Sequence, residues 1–286
     1  MNANEVNPNI LSKRQAIELL GLDTKTFDNF LKASEFESVP RINKGRFYFD
    51  KSVLSKWLKE FNWRTVTLNR DDYVQCLDFA LAMHFRQYVK SDFGTGRQRE
   101  FGQMITNWVK GQLGEVAVKK FFKQEFNIDV ELDFELRDEI VPQDIIGVLE
   151  KGKRRQPKIG IGIKSSKAKN TWLILGDNEI IRQERRSEAY IFCRVHIPDD
   201  HLLRITKDAI TKIVKGQRHF DTYKQEIPDF IEIPTEVAGW CYVDDLEKRE
   251  AKDIPGLETA TGFRYVRQSG LLRKSKKDWQ ELINRL

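Results

Sequence analysis

The sequence predicts an α/β protein: a mixed central sheet flanked by helices, preceded by a small N-terminal helical unit with a β-wing. Three observations carry this prediction. Apolar residues recur at helical spacing between Asp71 and Phe121, strand-length apolar runs follow from Ile128 onward, and the first 62 residues carry their own succession of caps and turns. With 286 residues, 40% of them hydrophobic and 11% aromatic, the chain can bury a real core, which excludes a disordered or low-complexity protein.

The N-terminal unit comes first. Ser12 stands as an N-cap ahead of a helix over Lys13–Leu20, whose apolar face carries Ala16, Ile17 and Leu20, and Gly21 ends it. Asp23 or Thr24 caps a second helix to about Ala33, with Phe27, Phe30 and Leu31 facing inward. After Pro40, the run Arg41–Phe49 reads as two short strands around an Asn43-Lys44-Gly45 turn. Asp50 caps a last helix, Lys51–Phe61, bearing Val53, Leu54, Trp57 and Leu58.

The segment Ile10–Leu58 resembles the excisionase/MerR-like winged helix-turn-helix domains. The resemblance is carried by Ser12 to Gly21 (Ser-Lys-Arg-Gln-Ala-Ile-Glu-Leu-Leu-Gly), by Thr24-Lys25-Thr26-Phe27, by Gly45-Arg46-Phe47-Tyr48-Phe49 and by Asp50 to Leu58. It implies that Thr24, Lys25, Asp28, Asn29 and Lys32 meet the major groove of DNA, and that Arg41, Lys44 and Arg46 meet phosphate or the minor groove. A protein-binding or structural module is the competing reading.

From Trp63 onward the pattern changes. A helix is expected from Asp71 to about Tyr88 (Tyr73, Cys76, Leu77, Ala80, Leu81, Phe85), then a loop Lys90–Arg99, then a long helix with Phe101, Met104, Ile105, Trp108, Leu113, Val116, Ala117 and Phe121. Strands are expected at Ile128–Leu136, Asp144–Leu149, Lys158–Lys164 and Thr171–Leu175. A short helix, a strand Ala189–Ile197, a strand Glu236–Tyr242 and a closing helix Lys277–Leu286 complete the reading. The chain is thus divided at residue 62, with an α/β domain over residues 63–286.

Charge adds a hint. Lys and Arg number 49 against 43 Asp and Glu, a surplus of 6 that gathers in two places. One is Lys151, Lys153, Arg154, Arg155, Lys158, Lys164, Lys167 and Lys169; the other is Arg264, Arg267, Arg273, Lys274, Lys276, Lys277 and Arg285. Such clusters can neutralise phosphates, and equally can be solvated faces. No apolar run approaches the roughly 18 residues of a membrane span, and Met1–Glu5 lacks the layout of a signal peptide, so a cytoplasmic protein without membrane association is expected. Cys76, Cys193 and Cys241 make no disulfide framework, and His84, His196, His201 and His219 have no zinc-ligand spacing.

Three pieces of the α/β region fit one chemistry. Lys110-Gly111-Gln112-Leu113-Gly114-Glu115 sets an acid among small and apolar neighbours on the long helix. Val141-Pro142-Gln143-Asp144 heads an apolar strand. Lys158–Lys164 alternates so that Gly160, Gly162 and Lys164 share one face. Phosphodiester hydrolysis needs oxygen ligands for a divalent cation and a positive charge near the reacting phosphate, and Glu115, Asp144 and Lys164 are of those types.

In this order and spacing Glu115, Asp144 and Lys164 resemble the PD-(D/E)xK nuclease superfamily over about Gly94–Tyr242. The resemblance implies a restriction-endonuclease-like fold and Mg²⁺-dependent hydrolysis of double-stranded DNA by a homodimer. It makes Asp144 and Glu115 metal ligands and Lys164 the group that orients water or stabilises charge. It also places the second motif acid at position 162, where this chain has Gly162. Three explanations compete: loss of a catalytic Glu, ranked first; another acid reaching the gap, with Glu115, Asp177 or Glu179 as candidates; or a relative that only binds DNA. A type II restriction-like enzyme is the leading expectation, with a non-catalytic DNA-binding protein and a repair or mobile-element nuclease as alternatives.

Overall fold

A computed structural model of the chain describes residues 9–38, 48–85, 101–135, 143–150, 152–183, 186–213, 222, 225–230 and 232–286. The N-terminal unit begins with β1 (Ile10–Ser12), whose last residue caps α1 (Lys13–Leu20). The Ser12 hydroxyl accepts from the Gln15 N–H while the Gln15 side chain accepts from the Ser12 N–H, so two of the helix's unpaired donors are met. Gly21 then takes the left-handed conformation (φ 64°) that ends α1. Asp23 caps α2 (Thr24–Lys32), which settles the choice between Asp23 and Thr24. β2 (Tyr48–Asp50) pairs antiparallel with β1, and Asp50 caps α3 (Lys51–Trp63). Phe27, Phe36, Phe49 and Trp57 meet edge to face or tilted in a core of their own. Residues 41–47, the rest of the expected wing, lie outside the described residues.

α3 runs directly through buried Arg64 into β3 (Thr65–Leu68), a strand the sequence reading lacks. β3 is the edge of a four-stranded sheet of order β3-β10-β9-β7, with β10 at Ile233–Tyr242, β9 at Ala189–Val195 and β7 at Ile161–Lys167. β3, β10 and β9 are antiparallel, and β7 lies parallel to β9, so the sheet is mixed as expected. One face is covered by α4 (Arg70–Phe85) and α5 (Phe101–Phe126), which pack Tyr73, Cys76, Ile105, Leu113 and Ala117 against Ile161, Ile163, Ile191 and Cys193. The closing helix α8 (Lys276–Arg285) drives Trp279 into the same core against Phe121 and Phe122.

On the opposite face, β8 (Trp172–Gly176), β11 (Glu247–Glu250) and β12 (Phe263–Gln268) form a second sheet of order β11-β12-β8, and α6 (Asp177–Ile181) follows β8 directly. Tyr190 and Phe192 of β9 pack here with Leu173, Leu175 and Leu272. A third sheet is the meander β4 (Asp129–Leu132), β5 (Ile145–Glu150) and β6 (Lys153–Arg155). Among the described residues, no helix is long and apolar enough to cross a membrane.

Helix α7 (His201–Ile213) is anchored by a wholly buried His201 whose Nδ1 lies 2.6 Å from the Tyr73 hydroxyl and whose Nε2 lies 2.9 Å from Thr106 Oγ1. Burial, with the Lys110 charge behind it, holds this imidazole down at about 4 from its ordinary 6.5. The unfolded chain therefore takes up the proton first. The stability this histidine contributes is whole above pH 6.5 and lost as pH falls through about 4. Denaturation midpoints across that window are expected to fall less steeply in His201→Asn than in the parent; equal slopes would count against the assignment.

Candidate active site

The three sequence pieces meet at the end of the central sheet where β5 and β7 begin. Asp144 stands one residue ahead of β5, and its N–H donates to the Ile161 carbonyl (3.1 Å). Its carboxylate Oδ2 accepts from the Ile163 N–H at 2.5 Å. These two bonds bracket Gly162 and pin Asp144 to the free edge of β7, whose other edge pairs with β9.

Ile161 and Ile163 point into the core beside α5, which leaves Gly162 and Lys164 on the opposite face with Tyr190 and Phe192. Lys164 Nζ lies 2.8 Å from Glu179 Oε1 of α6, and both side chains keep part of their surface open, 33% and 28%. Both are therefore open to solvent.

Glu115 sits in the middle of α5, 8% exposed, and receives the Gln112 Nε2 hydrogen bond at 2.9 Å. Gly114 is the reason α5 comes so near. A Cβ there would stand 1.8 Å from Ser165 Oγ and 3.2 Å from Cys193 Cβ, so only glycine lets the helix lie on β7 and β9 at this point. Burial pushes the Glu115 carboxyl well above its ordinary range; the Asp144 charge adds to this and the Lys164 ammonium offsets part of it. Burial raises the Asp144 carboxyl too, against the pull of Lys164 and of the Ile163 N–H. Lys164 is raised as well, because Glu179 and Asp144 outweigh the cost of its desolvation, and this holds it cationic.

Gly162 acquires a packing role that changes the reading of a lost catalytic Glu. A Cβ at this position would lie 2.8 Å from Cε1 and 2.9 Å from Cδ1 of Tyr190, and 3.1 Å from Ser187 Oγ. Tyr190 is fully buried, its hydroxyl accepting from the Ser187 N–H at 3.0 Å, so its ring cannot swing aside cheaply. The space a motif acid would fill is occupied by Tyr190, and the carboxylate beside Lys164 arrives from α6 as Glu179. Asp177, another candidate for that gap, lies 3.9 Å from Lys248 on β11 instead. Gly162→Glu is accordingly expected to lose about 1–3 kcal/mol or more of stability through overpacking and to gain no metal-dependent activity. A stable Gly162→Glu protein with new nuclease activity would restore the lost-acid explanation.

Asp133, just past β4, is a neighbour the sequence reading missed: its charge adds to the upward push on both Glu115 and Asp144. Tyr190 was missed as well. Its only sequence signal is a mid-strand glycine, which announces that something comes close without saying what.

Among the described residues, no three His, Cys, Asp or Glu side chains form a cage for a metal ion. Buried Glu115 and half-buried Asp144, near enough for the Asp144 charge to raise Glu115, still fit Mg²⁺, which commonly binds through one or two carboxylates, waters and substrate phosphate. Glu115 resists ionising beside Asp144, and a divalent cation would add to the counter-charge that Lys164 supplies.

The residues expected to touch DNA are divided. Thr24, Lys25 and Lys32 are exposed on α2. Asp28 is ion-paired with Lys13 (2.6 Å), and Asn29 Nδ2 donates to the Lys169 carbonyl (3.2 Å) in the turn between β7 and β8. Arg41, Lys44 and Arg46 lie outside the described residues. Of the C-terminal basic cluster, Arg267 donates to the Asp245 carbonyl, Arg273 pairs with Asp245, Lys274 pairs with Glu35, and Arg285 donates to the Tyr242 hydroxyl. That cluster is largely structural. In the other cluster, Lys153, Lys158 and Lys169 are exposed.

No family model, curated protein or solved structure matches the chain.

Proposed function

We propose that this chain is a divalent-metal-dependent endonuclease acting on double-stranded DNA, with a restriction-endonuclease-like α/β domain and an N-terminal winged helix-turn-helix unit that contacts DNA. The observation that carries the reading is the double tie of Asp144 to the strand bearing Lys164, with Glu115 brought into the same electrostatic neighbourhood by Gly114. Residues far apart in sequence converge there in the types that phosphodiester hydrolysis requires, with the Glu115 carboxyl raised by burial and by the Asp144 charge.

In this reading Asp144 and Glu115 hold Mg²⁺. When bound, the ion supplies charge neutralisation of the phosphate and a more acidic water. Lys164 stays an ammonium because it shares the Glu179 carboxylate at 2.8 Å, so it donates hydrogen bonds to developing negative charge and does not serve as the base. Glu179 aims Lys164 and stands where a further oxygen ligand would be useful. Thr24, Lys25 and Lys32 offer contacts to phosphate and base edges, and cutting both strands calls for a homodimer.

The test is incubation with plasmid and phage DNA in Mg²⁺. Discrete fragments are expected, and Glu179→Gln is expected to slow their formation about 10²-fold. Salt-dependent DNA binding without cutting, unaffected by Glu179→Gln, would favour the non-catalytic DNA-binding reading instead. Preference for branched or damaged substrate would favour a repair or mobile-element nuclease.

A further inference from the structure

The N-terminal unit is joined to the α/β domain by a chain of buried charges, not by a linker. Arg64 Nη2 meets Glu236 Oε1 at 3.1 Å, Glu236 Oε2 meets Arg194 Nε at 2.7 Å, and Arg194 Nη2 meets Glu35 Oε1 at 2.7 Å. Glu35 Oε2 then receives Lys274 Nζ at 2.6 Å and Trp57 Nε1 at 3.4 Å. Arg64, Arg194 and Glu236 are completely buried and Glu35 nearly so. Glu35 follows α2 in the N-terminal unit, Arg194 is the penultimate residue of β9, Glu236 lies on β10, and Lys274 precedes α8. One connected set of charges thus ties four parts of the molecule.

Three further contacts close the same seam. The Arg194 guanidinium stands 4.4 Å over the Phe30 ring of α2. The Gly270 N–H donates to the Ala33 carbonyl at 3.1 Å, and a Cβ on Gly270 would fall 2.2 Å from that oxygen, so the two backbones touch. Asn29 of α2 grips the turn that follows β7. Alternation along β9 puts Arg194 on the same face as Tyr190, about 13 Å away, while Lys164 sits five residues before the turn that Asn29 holds. β7 and β9, two of the strands at the seam, also carry residues of the candidate site.

We infer that Arg194 and Glu35 are positioning residues, locking the N-terminal unit and the candidate site into one rigid body, so that DNA is cut at a single fixed distance from the bases α2 contacts. This rests on the nuclease reading and on DNA contact by α2, and it goes beyond them: a reader on a flexible tether would give a spread of cutting positions. A buried ion-pair network has no alternative partners when strained, which suits it to fix one geometry.

The experiment uses the full chain and two variants, Glu35→Gln at the buried centre of the network and Lys274→Met at its more exposed end. Fragment ends from plasmid and phage DNA are mapped by sequencing, and unfolding is followed by calorimetry. The parent is expected to cut at one offset and unfold in one transition; both variants are expected to cut over several base pairs and unfold in two transitions. The spread of offsets is the readout that a loss of stability alone would not move. A spread in the parent, or unchanged offsets in both variants, overturns the proposal. If the parent cuts no DNA, the nuclease reading fails and the fixed offset falls with it. The lock is then decided by calorimetry alone: splitting in the variants supports it, and two transitions in the parent or one in both variants overturns it.

Discussion

Asp144→Asn is expected to lower metal-dependent cleavage by roughly 10³-fold or more while leaving the protein as stable as the parent, or slightly more so. The asparagine side-chain oxygen can still accept the Ile163 N–H, so the edge of β7 keeps its partner. What disappears is a carboxylate charge that burial makes expensive and that Glu115 and Glu179 oppose. A carboxyl raised in the folded state binds its proton before the unfolded chain does. Its negative charge at neutral pH is therefore a cost to folding, and neutralising it relieves that cost. Loss of activity without loss of stability is the signature of a functional charge kept against the interest of the fold. Initial rates of plasmid cleavage and the thermal midpoint, measured on the same preparations, decide it. Activity lost in step with unfolding would make Asp144 a structural residue.

Glu236→Ala is expected to have the largest effect on stability, about 3–5 kcal/mol. Glu236 is fully buried between Arg64 and Arg194, and its removal leaves two guanidinium groups in the interior with no carboxylate between them. Among the described residues, Arg64 Nε and Nη1 and Arg194 Nη1 already lack hydrogen-bond partners, so the network has no reserve of acceptors there to draw on. The contrast is with exposed pairs such as Arg249–Glu247, whose side chains are 41% and 46% exposed and whose loss should cost less than about 1 kcal/mol. Urea unfolding at unchanged slope measures both. A Glu236→Ala cost under about 1 kcal/mol would mean that water enters the seam and takes over the carboxylate's role.

What the sequence disclosed and what it hid follow the range of the forces involved. Ser12, Gly21 and Asp50 act within one helical turn, and the helix ends they set lie where capping chemistry puts them. β9 is legible because seven successive residues, Ala189–Val195, are all buried. β3 escaped notice because four residues give too short a pattern, and Thr65 and Thr67 dilute it. In β12 the apolar face is reduced to a buried Val266 among arginines, so Phe263–Gln268 reads as the start of a basic tail until its pairing with β8 is seen.

The candidate site was legible in its order of residues, since Glu115, Asp144 and Lys164 are read from local motifs. Glu179 could be named only as one candidate among three. That Tyr190 fills the slot over Gly162 depends on the parallel register of β7 and β9, which no local signal encodes. The buried charges are the extreme case. Arg194 lies inside an apolar strand and pairs with Glu35 some 159 positions earlier, so only the folded chain shows why it is there.

The measurement that bears most directly on the account is cleavage of plasmid DNA by the unaltered protein with and without Mg²⁺, alongside Asp144→Asn at matched DNA occupancy. Discrete fragments are expected from the unaltered protein in Mg²⁺, none when the metal is chelated, and none from Asp144→Asn although it still binds DNA. Intact plasmid in every lane with DNA bound, or equal cutting by both proteins, would contradict it.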